Sequence, residues 1–254
     1  MKRSTSPADR RLRPWSVLFW LAVWQLVSMA VGQKLLIASP VETLLRWFEL
    51  ISLAEFWQSA LFTVGHILLG FALAVSAGIL LAGISYRVRW LDELFAPLLA
   101  VIKSVPVASF VIVALIWIPS RRLSVLISFL IAMPVIYAGV LNGLRQTDGK
   151  LIEMARVFRM PPLKRLIYID LPAALPSFRS AAGTAMGLAW KSGVAAEVIG
   201  IPSGSIGEKL YKAKVYLATP DLFAWTLTIV LLSVLCEKLF LFATDIAASR
   251  LERM

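Results

Sequence analysis

The sequence predicts an all-α integral membrane protein with six transmembrane helices. The chain has 254 residues, of which 59% are hydrophobic and 16% are charged, and its mean hydropathy is +0.79. A soluble domain is normally about half apolar and about a quarter charged. Long apolar runs recur along the chain, and a helix needs about 20 mostly apolar residues to cross the bilayer core. We therefore expect a multi-pass protein.

Six segments have the length and composition of a membrane-spanning helix. Lys103 and Pro106 interrupt the third of them. The first segment follows a basic stretch and could be a signal peptide, but its three tryptophans make a poor signal core, so we expect a retained helix. The predicted spans are residues 15–31, 59–84, 94–118, 124–144, 177–199 and 222–243, in one membrane domain, 15–244, between a basic N-terminus, 1–14, and a C-terminal segment, 245–254.

The distribution of Lys and Arg predicts that both termini lie in the cytoplasm, because positively charged residues concentrate in cytoplasmic loops. In this orientation the inside segments hold sixteen such residues and the outside loops hold seven. The outside pair Arg121–Arg122 fits the rule least well. The inside residues are Lys2, Arg3, Arg10, Arg11, Arg13, Arg87, Arg89, Arg145, Lys150, Arg156, Arg159, Lys164, Arg165, Arg179, Arg250 and Arg253; the outside residues are Lys34, Arg46, Arg121, Arg122, Lys209, Lys212 and Lys214.

Several classes of function are disfavoured by composition. The net charge of +11 is not accompanied by a basic patch interleaved with exposed aromatic residues, so we expect no nucleic-acid partner. One cysteine, Cys236, and one histidine, His66, give no disulfide and no metal pattern. A membrane enzyme would need clustered His, Asp or Glu, so we expect no catalytic residue. The sequence has no GxxxxGK[ST] loop, so any ATP that drives this protein is bound by another chain.

Two predicted outside loops carry apolar residues at helical spacing. Residues 39–51 begin with a Ser that can cap a helix and a Pro, and residues 204–221 follow a similar pattern. Both predict amphipathic helices that lie on the membrane, or short connecting helices without a contact role. In the second span, small residues repeat every four positions from His66 to Ala82, which predicts close packing between helices.

The longest polar stretch is an insert between the fourth and fifth predicted spans, residues 147–172. Asp148 can cap a helix, and Glu153 lies near its first turn, where negative charge is favoured. The pair Pro161–Pro162 ends this helix, and Pro162 suits the first turn of the next one. The insert therefore predicts two short helices at an angle, with mixed charge and an apolar ridge, on the cytoplasmic side. The ridge consists of Met154, Val157 and Phe158.

The insert also resembles a known motif. Glu153 and Ala155, followed after about sixteen residues by Leu171 and Pro172, resemble the EAA loop in membrane subunits of ATP-binding cassette importers. The stretches "SPVETLLRWFEL", "LLGFALAVSAGILLAG" and "AALPSFRSAAGTAMGLAW" resemble the branch that imports nitrate, sulfonates, taurine, bicarbonate and pyrimidine-type precursors. The resemblance covers nearly the whole chain, residues 15–250.

This resemblance implies a complete transport machine in the cytoplasmic membrane of a prokaryote. Two permease subunits, expected to be identical copies, form the pathway. Two cytoplasmic ATPase subunits bind ATP and Mg²⁺ and each receives one coupling helix, while an extracytoplasmic binding protein delivers solute. The chain itself binds no cofactor in this scheme. The residues expected at the ATPase contact are Glu153, Met154, Ala155, Val157, Phe158, Arg159, Leu171 and Pro172.

Two positions depart from the pattern of the family. Arg159 stands where relatives usually have Gly, so we expect the Pro161–Pro162 pair to make the bend, or the angle to differ. After the third span, "WIPSRR" replaces a turn that often contains Gly, so we expect an outer mouth of different shape and charge.

Charged residues inside a span are functional candidates, because burying a charge in the membrane is unfavourable. Lys191 could contact an anionic solute, or it could pair with a group on another helix or reach the membrane surface. Glu197 could be structural or part of an outer gate, and His66 could bond within the bundle. The candidate pathway residues are Lys191, Trp190, Glu197 and His66. A stand-alone secondary transporter or channel is the main alternative, and a non-transporting scaffold is another; neither explains the insert.

Overall fold

The computed structural model describes residues 14–33 and 36–251, with side chains described as far as residue 246. The predicted basic N-terminus, Lys34 and Arg253 lie outside the described residues. Every regular element in these ranges is helical. The α-helices are α1 (Pro14–Val31), α2 (Pro40–Ile51), α3 (Ala54–Arg87), α4 (Arg89–Ser104), α5 (Val107–Ala114), α6 (Leu123–Arg145), α7 (Gly149–Val157), α8 (Pro162–Arg165), α9 (Leu171–Gly200), α10 (Ile206–Val215) and α11 (Thr219–Leu251).

Among the described residues, four helices are long and apolar enough to cross a membrane: α1, α3, α6 with its preceding turn, and α11. The helices α4 and α5 qualify together but are bent by 99°. Pro106 lies at this break and cannot donate the backbone hydrogen bond that would continue α4, so the predicted third segment is two helices. Helix α9 is long enough but is less apolar, because it carries Lys191 and Glu197.

Helix α6 forms the centre of the bundle between α3 and α9. Gly70 of α3 and Gly193 of α9 both lie against Ser128 of α6, and Gly143 of α6 lies against Ala174 of α9. A Cβ atom at Gly143 would come within 2.8 Å of the Ala174 Cα. The three backbones therefore approach closely, as small residues allow in membrane helix packing.

The small-residue face predicted in the second span is a packing face. Gly70, Ala74, Gly78 and Ala82 are buried, and Gly78 lies against Ile136 of α6. Helices α3 and α6 thus run in the same direction, and α9 runs in the opposite direction. Here we call the end where α3 and α6 finish and α9 begins the insert end, and we call the opposite end the far end.

The two amphipathic segments predicted outside the spans are helices at the far end. Helix α2 begins with reciprocal hydrogen bonds between Ser39 and Glu42, and Ser205 Oγ accepts a hydrogen bond from Glu208 N at the start of α10. The second helix is shorter than predicted, because Leu217 has a φ of +53° and ends it. Helix α11 then begins at Thr219.

Helix α1 stands apart from the bundle, and its side chains are exposed or half-buried along its whole length. Trp24 Nε1 donates a hydrogen bond to Ala38 O, Ser28 Oγ donates one to Ile37 O, and the Trp24 ring stacks on Phe223. These contacts tether α1 to the far end.

Candidate coupling insert and pathway face

Helix α7 is the first half of the insert and has a defined cap at each end. Asp148 Oδ1 accepts a hydrogen bond from Lys150 N at the start. At the finish, Met160 N donates to Ala155 O at 2.8 Å and Arg159 N donates to Arg156 O at 3.1 Å. This pair of bonds is the Schellman motif, in which the penultimate residue adopts a left-handed conformation and is usually Gly.

Arg159 occupies that left-handed position, with a φ of +47°. The expectation that the Pro161–Pro162 pair makes the bend was therefore wrong, because the chain turns at Arg159 itself. Pro162 does start the next helix, as predicted: Pro161 precedes α8 and Pro162 is its first residue. Arg159 thus adopts the left-handed conformation that this motif usually gives to Gly, at the cost of a crowded Cβ.

The predicted ATPase contact is mostly a free surface in this chain. Val157 and Phe158 are 78% and 76% exposed. Ala155 is the exception, because it is buried. The remaining residues of the set, all exposed, are Glu153, Met154, Arg159, Leu171 and Pro172.

The second half of the insert is joined rigidly to the bundle. Helix α8 continues through a wide π-helical turn, Leu166–Asp170, directly into α9. Arg165 Nη2 lies 3.4 Å from Tyr86 Oη in the last turn of α3, and Arg165 Nε lies 3.5 Å from the buried Asp170 carboxylate. The backbone is therefore helical from Pro162 to Gly200, without a flexible linker between insert and span.

A second polar network ties α4 to α6 at the insert end. Tyr137 Oη donates to Asp92 Oδ1 at 2.7 Å, and Arg145 Nη2 donates to Asp92 Oδ2 at 2.7 Å. No local pattern predicts this network, because its partners lie 45 and 53 residues apart in the sequence.

Of the four candidate pathway residues, Lys191 lies on the exposed face of α9. In the described part of the chain no carboxylate pairs with its ammonium group. Trp190 and Glu197 are 1% and 0% exposed, and both lie within the packed bundle. The exposed face of α9 includes Ser180, Thr184, Leu188, Lys191 and Ile199.

Glu197 joins three elements at the far end. Thr63 Oγ1 of α3 donates to Glu197 Oε2 at 2.7 Å, and Ile206 N of α10 donates to Thr63 Oγ1 at 3.0 Å. Gly207 N lies 3.4 Å from the same Glu197 oxygen, and a Cβ atom at Gly207 would overlap the Glu197 side chain and backbone. Because Glu197 is enclosed by its own chain, it holds α10 onto the bundle.

His66 bonds within the bundle, as one interpretation of the sequence predicted. Its Nδ1 lies 2.8 Å from Phe62 O, and its ring stacks on Phe62 with centroids 4.0 Å apart. The other side of the ring faces a cavity between α3 and α6.

Ion pairs fix α2 and α10 at the far end. Arg46 Nε donates to Asp221 of α11, and Arg46 Nη1 donates to Glu49 at 2.7 Å. These hydrogen bonds, with Asp221 contributing most, raise the pKa of the Arg46 guanidinium above its usual range. Lys209 of α10 pairs with Glu55 of α3. Four helices are therefore linked across the far end.

Comparison with known proteins identifies the family. The sequence profile of the family described as "Binding-protein-dependent transport system inner membrane component" matches residues 74–253. The chain belongs to this family. It is a permease subunit of ATP-binding cassette importers, in the branch that includes sulfonate and nitrate permeases. The expectation that this chain is a permease subunit of an ATP-binding cassette importer is confirmed, and the comparisons do not support the stand-alone transporter.

Three relatives show how far the similarity of this permease extends. A "Putative aliphatic sulfonates transport permease protein" of Bacillus subtilis is 30% identical over 210 residues, which are 80% of this chain and 74% of the relative. A protein of the same description from Escherichia coli is 29% identical and covers 96% and 90%. A nitrate import permease protein of Synechococcus elongatus is 24% identical and covers 84% and 81%.

Proposed function

We propose that this permease forms the translocation pathway for a small anion and that its insert couples the pathway to ATPase subunits. The observation that carries the proposal is the exposed ridge of Val157 and Phe158 at the end of α7, which a tight turn at Arg159 joins to the continuous helical segment of α8 and α9. Exposed apolar side chains at a protein surface mark contact sites when they cluster. In a dimer of the permease, we place one ATPase subunit, which binds ATP and Mg²⁺, against the ridge of each copy.

We further propose that six segments cross the cytoplasmic membrane of a prokaryote: α1, α3, the α4–α5 pair, α6, α9 and α11. Both termini and the insert, residues 147–172, then lie inside, and α2 and α10 lie outside. The burial of much of α9 against α6 supports its assignment as a span, because protein neighbours can satisfy its polar groups. The extracytoplasmic binding protein would dock at the far end.

The pathway is proposed to run along the exposed face of α9 between two identical copies of the chain. Lys191 is the candidate solute contact, since an unpaired ammonium within a span needs an anionic partner. The printed names of the relatives, sulfonates and nitrate, are consistent with an anion. Trp190 and Glu197 support this face from within the bundle, and His66 does not line it.

ATP acts through the insert in this scheme. Ligand binding shifts an equilibrium only if its affinity differs between the two states. ATP binding draws the two ATPase subunits together and carries the ridge with them. The turn at Arg159 joins α7 to α8, and because α8 and α9 form one helical segment, a displacement that this turn passes on reaches Lys191 along continuous helix.

The test is co-purification of an ATPase subunit with the tagged permease, expressed with its genomic neighbours and extracted in mild detergent. We expect Phe158→Asp and Glu153→Lys to reduce the recovered ATPase at least about tenfold, which corresponds to losing about 1.4 kcal/mol of binding free energy. The matched control is Tyr216→Asp, because Tyr216 is equally exposed, at 78%, but lies at the far end.

Two results would contradict the proposal. Equal recovery of ATPase with Phe158→Asp and Tyr216→Asp would show that the ridge is not the contact. Solute transport in liposomes by the permease alone, without any ATPase, would restore the stand-alone transporter.

A further inference from the structure

A groove between α3 and α6 has a volume of about 800 Å³. Its wall is mostly apolar and includes Leu69, Leu73 and Leu80 of α3 and Phe129 of α6. Trp117 lies at its far-end margin. None of the described residues that line it is acidic. Nothing in the coupling proposal uses this groove.

The groove is elongated along α3. Its α3 residues run from His66 to Leu80 along one stripe of the helix. Fourteen residues of α-helix extend about 21 Å, at about 1.5 Å per residue. Half of a bilayer core is about 15 Å thick. The groove therefore has the reach of a lipid acyl chain, whereas a small solute would occupy only a fraction of it.

One end of the groove is positively charged. Arg122 lines the groove at the level of His66, since Gly70, one turn further along α3, lies against Val125 and Ser128. Arg121 lies beside it, with its guanidinium 5.5 Å from the centre of the Phe62 ring. Neither arginine takes part in an ion pair with a described carboxylate.

We propose that this groove binds an anionic phospholipid, with one acyl chain along α3 and the headgroup phosphate on Arg122. The guanidinium presents planar paired donors that match phosphate, and such charge-assisted bonds are strong at a membrane boundary. The apolar wall covers the chain along the stripe from His66 to Leu80. This occupant also gives the Arg122 guanidinium an anionic partner, which no described carboxylate supplies.

The site does not depend on the coupling role of the insert. It needs only that the chain is a membrane permease, which the family comparison establishes. A failure of the lipid experiment would leave the co-purification result untouched, and the converse also holds.

The experiment is native mass spectrometry of the delipidated importer complex, titrated with phosphatidylglycerol or with phosphatidylcholine of the same acyl chains. We expect phosphatidylglycerol to bind and phosphatidylcholine to bind at least about tenfold more weakly. Arg122→Gln should weaken phosphatidylglycerol binding by about the same factor. The matched control Arg121→Gln removes the same charge from the neighbouring residue, which does not line the groove, and should change binding by less than about threefold.

A second pair of variants tests the apolar wall. Ser76 faces the groove and is exposed, so Ser76→Phe should fill the groove and abolish binding of the anionic lipid. Ile79 is exposed on the same helix but outside the lining, so Ile79→Phe should leave binding unchanged. Equal melting temperatures for all four variants would exclude misfolding as the cause.

Two outcomes would overturn the proposal. The first is equal binding of both lipids, or no change with Arg122→Gln. The second is a disulfide between Leu73→Cys of one copy and Leu21→Cys of another in a Cys236→Ser background, since that cross-link would place α1 of a second copy in the groove.

Discussion

The short helices at the two ends of the permease differ in how their charged side chains are paired. At the far end, charged side chains of α2 and α10 pair with partners on α3 and α11, such as Arg46 with Asp221 and Lys209 with Glu55. At the insert end, Lys150, Glu153 and Arg156 of α7 form no ion pair with a described residue.

The two ends also differ in how fully their side chains are enclosed. Glu197 is enclosed at the far end, with hydrogen bonds to Thr63 and Gly207, whereas Val157 and Phe158 at the insert end have no cover. Within one chain, the far end is therefore held by bonds among its own helices, whereas the ridge of Val157 and Phe158 at the insert end is left uncovered. Substitutions should consequently destabilise the folded chain at the far end and impair assembly at the insert end.

The largest expected effect comes from substituting Gly207 at the far end, and Gly149 at the insert end is the control. Gly207→Ala should destabilise the chain by about 3 kcal/mol, because the new Cβ overlaps Glu197. Gly149→Ala should change stability by less than about 0.5 kcal/mol, because nothing lies within 4 Å of the new Cβ. Thermal unfolding of the isolated permease can be followed with a thiol-reactive dye, since Cys236 is buried. Equal shifts for both variants would remove the contrast between the ends.

The second-largest effect is expected from the hydrogen bonds around Glu197. Thr63→Val removes the donor to Glu197 and the acceptor for Ile206 N, both buried, and should destabilise the chain by about 2 kcal/mol. Thr226→Val is the control, because the Thr226 side chain is exposed and bonds only to Leu222 O of its own helix. A melting temperature for Thr63→Val within the error of the control would show that α10 is held by packing alone.

A smaller effect is expected from the ion pairs. Arg46→Gln should destabilise the link between α2 and α11 by about 0.5–1 kcal/mol, because this pair is partly exposed. The difference from the wild type should shrink in about 1 M salt, where charges are screened within about 3 Å. Lys150→Gln, in the insert, should have no effect at either salt concentration. A salt-independent loss would mean that Arg46 acts by packing.

The smallest expected effect is a gain in the free energy of unfolding. Arg159→Gly should stabilise the isolated chain by about 0.5 kcal/mol, because relief of the left-handed strain exceeds the added freedom of the unfolded chain. Leu217 ends α10 with the same motif, at a φ of +53°, so Leu217→Gly should behave alike. If ATPase recovery falls with Arg159→Gly alone, the arginine side chain is part of the contact. A loss of stability in both variants would contradict the strain argument.

Local patterns allowed much of this molecule to be predicted. Several helix ends depend on residues that are close in sequence, so their signals are local. They are the caps at Ser39 and Asp148, the end of α4 before Pro106 and the start of α8 at Pro162. The family followed from the spacing between Glu153 and the Leu-Pro pair that opens α9. The profile match and the relatives confirmed it.

Other features depend on contacts that the sequence does not encode locally. Glu197 and Thr63 are 134 residues apart, so no spacing rule could pair them. The left-handed Arg159 contradicts residue preference, because the hydrogen bonds at the end of α7 determine its conformation. Pro106 marks the break between α4 and α5 in the sequence, but no local pattern predicts its angle of 99°. The groove at Arg122 arises between two helices and leaves only an unusual charge pair in the sequence.

The unbroken helical path from the insert into α9 has a mechanical consequence. The 30 residues of α9 form a rod about 45 Å long, at about 1.5 Å per residue. A tilt of about 5° at one end of such a lever displaces its other end by about 4 Å. That displacement exceeds the 2.7 Å separation between Thr63 Oγ1 and Glu197 Oε2. Under the proposed coupling, a tilt of about 5° in α9 is therefore enough to break the hydrogen bond between Thr63 and Glu197 at the far end.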